Sequence, residues 1–193
     1  MAFIGMRHVV VAKVETHTDG AEPTYSEGRV AGKAIQGNLT INRNNNPLYA
    51  DDIIAEDDNG ITSMELELGL DDLEEATQAY MGLLKEVAGT GSEGATYYEN
   101  SAAAENVGVG YMRVRRKNGV TTFQGVWVYK ALFSKNAENS QTKGETIEWQ
   151  TPTINGRCMG LIVDNTGEAT FRKVKNFTSE AAAETWLDEM ANI

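Results

Sequence analysis

The run Ile61 to Leu70, ITSMELELGL, alternates cleanly: Met64, Leu66, Leu68 and Leu70 fall on one face, Ser63, Glu65, Glu67 and Gly69 on the other. A period of two marks a half-buried β-strand, with one face in a core and the other in water. Upstream, AIQGNLTIN answers it, with Ile35, Leu39 and Ile41 on one side and Gln36, Asn38, Thr40 and Asn42 mostly on the other. A long acidic segment, Arg43 to Gly60, joins the two runs. Connections of this length are uncommon inside compact domains, and where they occur they are functional or disordered. This one sets Pro47, Leu48, Tyr49, Ile53 and Ile54 among its acids, which include Asp51 and Asp52. A solvated spacer has little use for so many apolar groups. The segment therefore reads as a docking element that reaches outward, which points to assembly rather than chemistry.

The rest of the chain supplies further strands. RHVVVAKVE, Arg7 to Glu15, is rich in β-branched residues, and Thr16 to Gly28 reads as a polar connection. From Asp71 the period changes: Leu73, Ala76, Tyr80, Leu83 and Leu84 fit one helix face, with Asp71 as N-cap and Glu74 completing the cap. Glu86 to Asn106 is rich in Gly, Ala, Ser and Glu and reads as surface loop. VGVGYMRVRR and VTTFQGVWVYKALF flank Lys117-Asn118-Gly119, a strong hairpin signal. After a polar loop from Ser134 to Lys143, three strands are expected in ETIEW, TINGRCMGLIV and EATFRKV, the last two separated by a turn at Asp164 to Gly167. A closing helix takes Thr178 as N-cap and Ala183, Trp186, Leu187 and Met190 as its buried stripe. The expectation is one mainly β domain over residues 1–193, a β-sandwich or barrel-like fold with one helix packed on the sheets and a short C-terminal helix.

Charge narrows the partners. With 17 basic against 28 acidic residues the net charge is −11, which opposes wrapping nucleic acid by phosphate neutralisation. The apolar run after Arg7 is too short for a signal peptide, and no segment has the length to span a bilayer. The single cysteine, Cys158, allows no internal disulfide and suits a reducing cytoplasm.

Motifs for chemistry are weak. Gly89-Thr90-Gly91-Ser92-Glu93-Gly94 has G-x-G-x-x-G spacing, but a helix precedes it where the dinucleotide fingerprint needs a strand. GRVAGKA, Gly28 to Ala34, is a residue short of a phosphate-binding loop and lacks its hydroxyl. Asp51, Asp52, Glu56, Asp57 and Asp58 do not follow the spaced pattern of a calcium loop. His8 and His17 have no partner at ligand spacing, and Cys158, in step with Ile154 and Ile162, reads as a small core residue. No cofactor, metal site or catalytic activity is expected. Tyr111, Arg113, Arg115 and Lys117 share a strand face; a basic stripe with an aromatic to stack on can bind nucleic acid, but on a chain this acidic it is better suited to an acidic surface on a neighbouring copy. A soluble β-sandwich binding module, for example for cell-wall carbohydrate, is the other reading, with Trp127, Tyr129 and Trp149 as platforms. Alternation instead groups Trp127 with Phe123, Tyr129 and Phe133, as a core face would.

Taken together and in this order, RHVVVAKVETHTDG, NLTINRNNNPLYADDIIAEDDNGITSMELELG, GVGYMRVRRKNG and TKGETIEWQTPTINGRCMG cover nearly the whole chain. In them the sequence resembles the major tail proteins of long-tailed phages and prophages of Gram-positive bacteria, the phi13-type tail tube subunits. The resemblance implies a β-sandwich flanked by a helix, six copies of which form a ring, with rings stacked into a hollow tube. DNA and the tape-measure protein pass through such a tube without specific binding, and a tail terminator and a distal tail protein meet its ends. The protein would then reside in the virion tail, after assembly in the host cytoplasm. A loop between two strands contacts the next ring in such tubes. Here that implies Arg43 to Gly60, with Leu48, Tyr49, Asp51, Asp52, Ile53 and Ile54 between rings. Glu65 and Glu67 become candidates to line the bore, and Arg113, Arg115 and Lys117 to lie between subunits. Ending soon after its second helix, the chain is expected to lack the immunoglobulin-like domain some relatives carry.

Overall fold

Val9, Val10, Val11 and Ala12 are all buried, so the strand that carries them is covered on both faces. That requirement organises the fold. The structure, a computed structural model of the 193-residue chain, describes residues 2–50, 53–87, 95–97, 104–135, 142 and 150–193. Its strands are β1 (Ala2–Thr16), β2 (Thr24–Gly32), β3 (Ala34–Arg43), β4 (Asn46–Ala50), β5 (Ile53–Asp58), β6 (Ile61–Leu70), β7 (Lys85–Val87), β8 (Ala95–Tyr97), β9 (Asn106–Lys117), β10 (Val120–Ser134), β11 (Thr153–Cys158) and β12 (Arg172–Phe177). The helices are α1 (Glu75–Tyr80), between β6 and β7, and α2 (Glu180–Ala191). The fold is mainly β, as expected.

Eight strands form one antiparallel sheet in the order β2-β1-β9-β10-β11-β6-β3, with β12 added to β10. β10 is long enough to serve two neighbours: Phe123 to Val128 pairs with β12, and Ala131 to Ser134 pairs with β11. The sheet curls on itself. Val9, Val11, Val109 and Val126 from one side share a cluster with Met64, Leu66, Leu68 and Ile154 from the other. Met6 of β1 closes the curl by lying against Gly37 of β3, where a Cβ would collide with it. On the opposite face, α2 lays Ala183, Trp186, Leu187 and Ala191 over Val10, Met112 and Trp127. His8 Nε2 lies 2.7 Å from Asp188 Oδ1, and Arg7 Nη1 donates to Glu180 Oε1 at 2.6 Å, which pins the helix to β1.

Several local expectations are met. The Asn118-Gly119 turn has φ of 50° and 79°, the left-handed pair that joins two strands without splaying them. Thr166 N donates to Asp164 Oδ1 at 3.0 Å in the turn that ends at Gly167.

Other expectations need correcting. The connection placed at Thr16 to Gly28 is half strand, because β2 begins at Thr24. The helix expected from Asp71 is only Glu75–Tyr80, and its buried side is Thr77, Gln78 and Tyr80, with Ala76 exposed. Asp71 does not cap it: that carboxylate accepts from Lys33 N at 2.8 Å and Asp72 N at 2.9 Å. Glu74 forms no side-chain cap, and Gly82, at φ 70°, turns the chain away. Short as it is, α1 packs on the sheet through Tyr80, which joins the inner core and accepts from Lys13 N at 2.7 Å, while the longer C-terminal helix covers the opposite face. Its N-cap is Ser179 rather than Thr178, with Ala182 N donating to Ser179 Oγ at 3.3 Å. Part of the surface loop expected from Glu86 is a small ribbon of β7 and β8. β11 stops at Cys158, and a single bridge from Leu161 to Thr170 replaces the rest of that strand. Gly89 to Gly94 and the ETIEW strand lie outside the described residues. No helix among the described residues is long and apolar enough to cross a membrane.

Candidate assembly surfaces

The arm comes first. β3 and β6 pair along their length, with Leu39 opposite Leu66 and Ile41 opposite Met64 on the inner face. Asn38 opposite Glu67 and Thr40 opposite Glu65 lie on the outer face. The expected loop Arg43 to Gly60 is itself a ribbon: β4 pairs antiparallel with β5, and Asn44 N donates to Gly60 O at 2.8 Å where it leaves the sheet. It is a hairpin that prolongs a hairpin. Asp51 and Asp52, and the side chains of Leu48, Tyr49, Ile53 and Ile54, lie outside the described residues. Among the described residues β3 pairs only with β6, so its other edge has no ladder partner, although Met6 of β1 lies against the strand at Gly37. Ile35, at a register shift on that strand, is 52% exposed, and Ile41 is 38% exposed.

The second surface is the outer face of β3, β6, β11 and the end of β10. Glu65 is exposed and Glu67 half-buried, opposite the buried Met64, Leu66 and Leu68, as the alternation requires. Glu67 accepts from Gln36 Nε2 at 2.8 Å and Asn38 Nδ2 at 3.4 Å. Arg157 lies across from Glu65 in register, and with Asn38, Thr40, Ser134 and Asn155 these groups line a depression of about 440 Å³. The face carries two carboxylates and one guanidinium, with Leu132, 37% exposed, beside Arg157.

The third surface is the basic stripe, which the structure revises. Tyr111 is 3% exposed and belongs to the inner core, so it is no stacking platform. Lys117 is exposed beside the turn. Arg113 and Arg115 are half-buried, with guanidinium carbons 4.4 and 5.3 Å from the centre of the Phe3 ring. Arg113 Nη2 donates to Gln124 Oε1 at 2.8 Å, Arg115 Nη1 to Asn176 Oδ1 at 3.3 Å, and Gln124 Nε2 to Asn176 Oδ1 at 3.0 Å. Phe3, Gln124 and Asn176 carried no local signal. They arrive through the pairing of β1, β10 and β12 around β9.

The groups considered for chemistry or ligand stacking are placed otherwise. Cys158 is 1% exposed, and burial, with Glu65 a lesser cause, pushes its thiol up to about 11. At pH 8 about a thousandth of it is thiolate, so a thiol reagent should label it only after unfolding. Full labelling of the native protein within minutes would contradict that burial. His17 Nδ1 sits 3.9 Å from Asp19 Oδ1, and no group of three or more His, Cys, Asp or Glu among the described residues is placed to hold a metal. The aromatic platforms fail as well: Trp127 and Tyr129 are buried under α2, and Trp149 lies outside the described residues. Phe133 does not share their face. A register shift between Val128 and Ala131 reverses the parity of β10 and sends Phe133 into the inner core. No family model matches the chain, and no curated protein does.

Proposed function

We propose that this chain is a tail tube subunit, six copies of which form a ring, with rings stacked into the hollow tube through which a phage delivers its DNA. The observation that carries the reading is the open edge of β3, with Ile35 and Ile41 exposed beside it, on an arm that continues into the β4–β5 ribbon. Unpaired strand edges are a liability for a monomer and a template for pairing with another chain. The opposite end of the sheet order is β2, a different strand, so edge-to-edge contact is head-to-tail. Contacts of that kind close into rings or run on as filaments. In this reading the face bearing Glu65 and Glu67 lines the bore, where repeated carboxylates repel phosphates over about a Debye length, roughly 8 Å at physiological salt.

Sedimentation and negative-stain imaging of purified protein over a wide range of concentration and salt provide the test. Rings or tubes of uniform diameter are expected. A strictly monomeric species under every condition would sink the reading.

A further inference from the structure

Arg113, Arg115 and Arg172 lie on one face of the sheet, Arg115 level with Thr122, Arg113 with Gln124 and Arg172 with Val128 along the intervening β10, and the charges of Arg172 and Arg115 both act on Arg113. Their partners are weak for cations. Among the described residues Arg113 and Arg115 reach only the neutral amides of Gln124 and Asn176, and the Nε of each is buried with no hydrogen-bond partner there. None of the three is in an ion pair among the described residues. Burial, with Arg172 and Arg115 adding to it, lowers the proton affinity of Arg113. Partly desolvated guanidiniums with donors unused lose hydration without compensation, and a carboxylate recovers it best, through charge-assisted bonds to the planar fork. The patch is also edged with apolar groups: Phe3 is 47% and Val174 41% exposed. Its complement is a segment that mixes carboxylates with apolar side chains. The chain contains one. Leu48 to Asp58 reads LYADDIIAEDD, with acids at Asp51, Asp52, Glu56, Asp57 and Asp58 and no base.

We propose that Arg113, Arg115 and Arg172 form the receptor for the acidic β4–β5 ribbon of a second copy of this chain. The proposal rests on the tube reading and gives it a specific contact between copies. It favours protein over nucleic acid because a net charge of −11 opposes a polyanion while the ribbon supplies the needed carboxylates itself.

Charge reversal in both directions tests it. R115E/R172E leaves the more deeply held Arg113 in place, and D51K/D52K/D57K reverses the ribbon. Each set alone should raise the critical concentration for polymerisation by about tenfold or more, and combining the two sets should restore most of the loss. Tubes of the single variant R172K, treated with a zero-length carbodiimide, should yield a cross-linked peptide between position 172 and residues 51–58. That readout holds even if the charge-reversed variants fold poorly. Assembly of both variant sets at the wild-type concentration, or cross-links from position 172 only to other segments, overturns the contact and leaves the tube reading standing. A wild-type chain that never assembles overturns both. Binding of a short labelled DNA duplex at low salt, abolished by R115E/R172E, would make the patch a nucleic-acid site and also overturn the proposal.

Discussion

Removal of Asn45 to Asp57 should leave the curled sheet folded and abolish tube growth. Among the described residues β4 and β5 pair only with each other, so excising them takes no ladder bond from the main sheet there. The cut ends already meet: Asn44 N donates to Gly60 O at 2.8 Å, and Arg43 Nη1 donates to Asn59 O at 2.9 Å. In the shortened chain Asp58 and Asn59 alone link Asn44 to Gly60, a two-residue connection of types that accept the left-handed turn of a hairpin. Closing a shorter loop also costs less entropy. The thermal midpoint should therefore stay within a few degrees of wild type, while sedimentation detects no species longer than a single ring. Tubes of normal length from the shortened protein would mean that the ribbon is not the docking element. A large loss of thermal stability would mean that it belongs to the core.

The arm was legible in the sequence because its signals are local. In ITSMELELGL, strict alternation put Met64, Leu66 and Leu68 in the core and Glu65 and Glu67 outside, where they are found. Elsewhere tertiary context decided the outcome. β2 leaves little trace in the sequence because its middle, Ser26-Glu27-Gly28-Arg29, is polar and Glu27 takes a φ of 53° at an irregularity of the β1 pairing. An edge strand so interrupted shows no period of two. In the sequence the ribbon looks like loop, because Pro47 and its many acids weigh against strand, although β4 and β5 have each other to pair with. Alternation puts Phe133 on the wrong face because a register shift has no signature in the pattern it interrupts. The arginine face was half legible. Spacing aligned Arg113 with Arg115, but only the packing of β12 on β10 brings Arg172 and Asn176 beside them. The side chains that make the stripe distinctive come from strands distant in sequence.

Trp127→Ala should be among the most damaging single changes to the fold. Trp127 is fully buried, 4.9 Å from Tyr25 between ring centroids and at 79° to it, an edge-to-face contact. The indole fits because Gly110 beside it has no side chain: a Cβ there would lie 2.7 Å from Trp127 Cε3 and 2.8 Å from Val10 Cγ2. Tyr25 in turn donates its hydroxyl to Tyr129 O at 2.8 Å, so the tryptophan supports the wall that holds β2 under α2. Removing the indole leaves a cavity bounded by glycines and rigid strands that cannot collapse into it. The cost should be about 4 kcal/mol, near the upper end for large aromatics, which for a chain of this size lowers Tm by roughly 10 °C. Gly110→Ala tests the geometry from the other side. In the wild-type background the added methyl forces Trp127 and Val10 apart and destabilises the protein. With Trp127→Ala already present the methyl has room on one side, so its cost should fall sharply, a coupling that a double-mutant cycle reads directly. Equal costs of Gly110→Ala in both backgrounds would show that the glycine does not make space for the indole. A Tm loss of only a degree or two for Trp127→Ala would show that α2 docks without it.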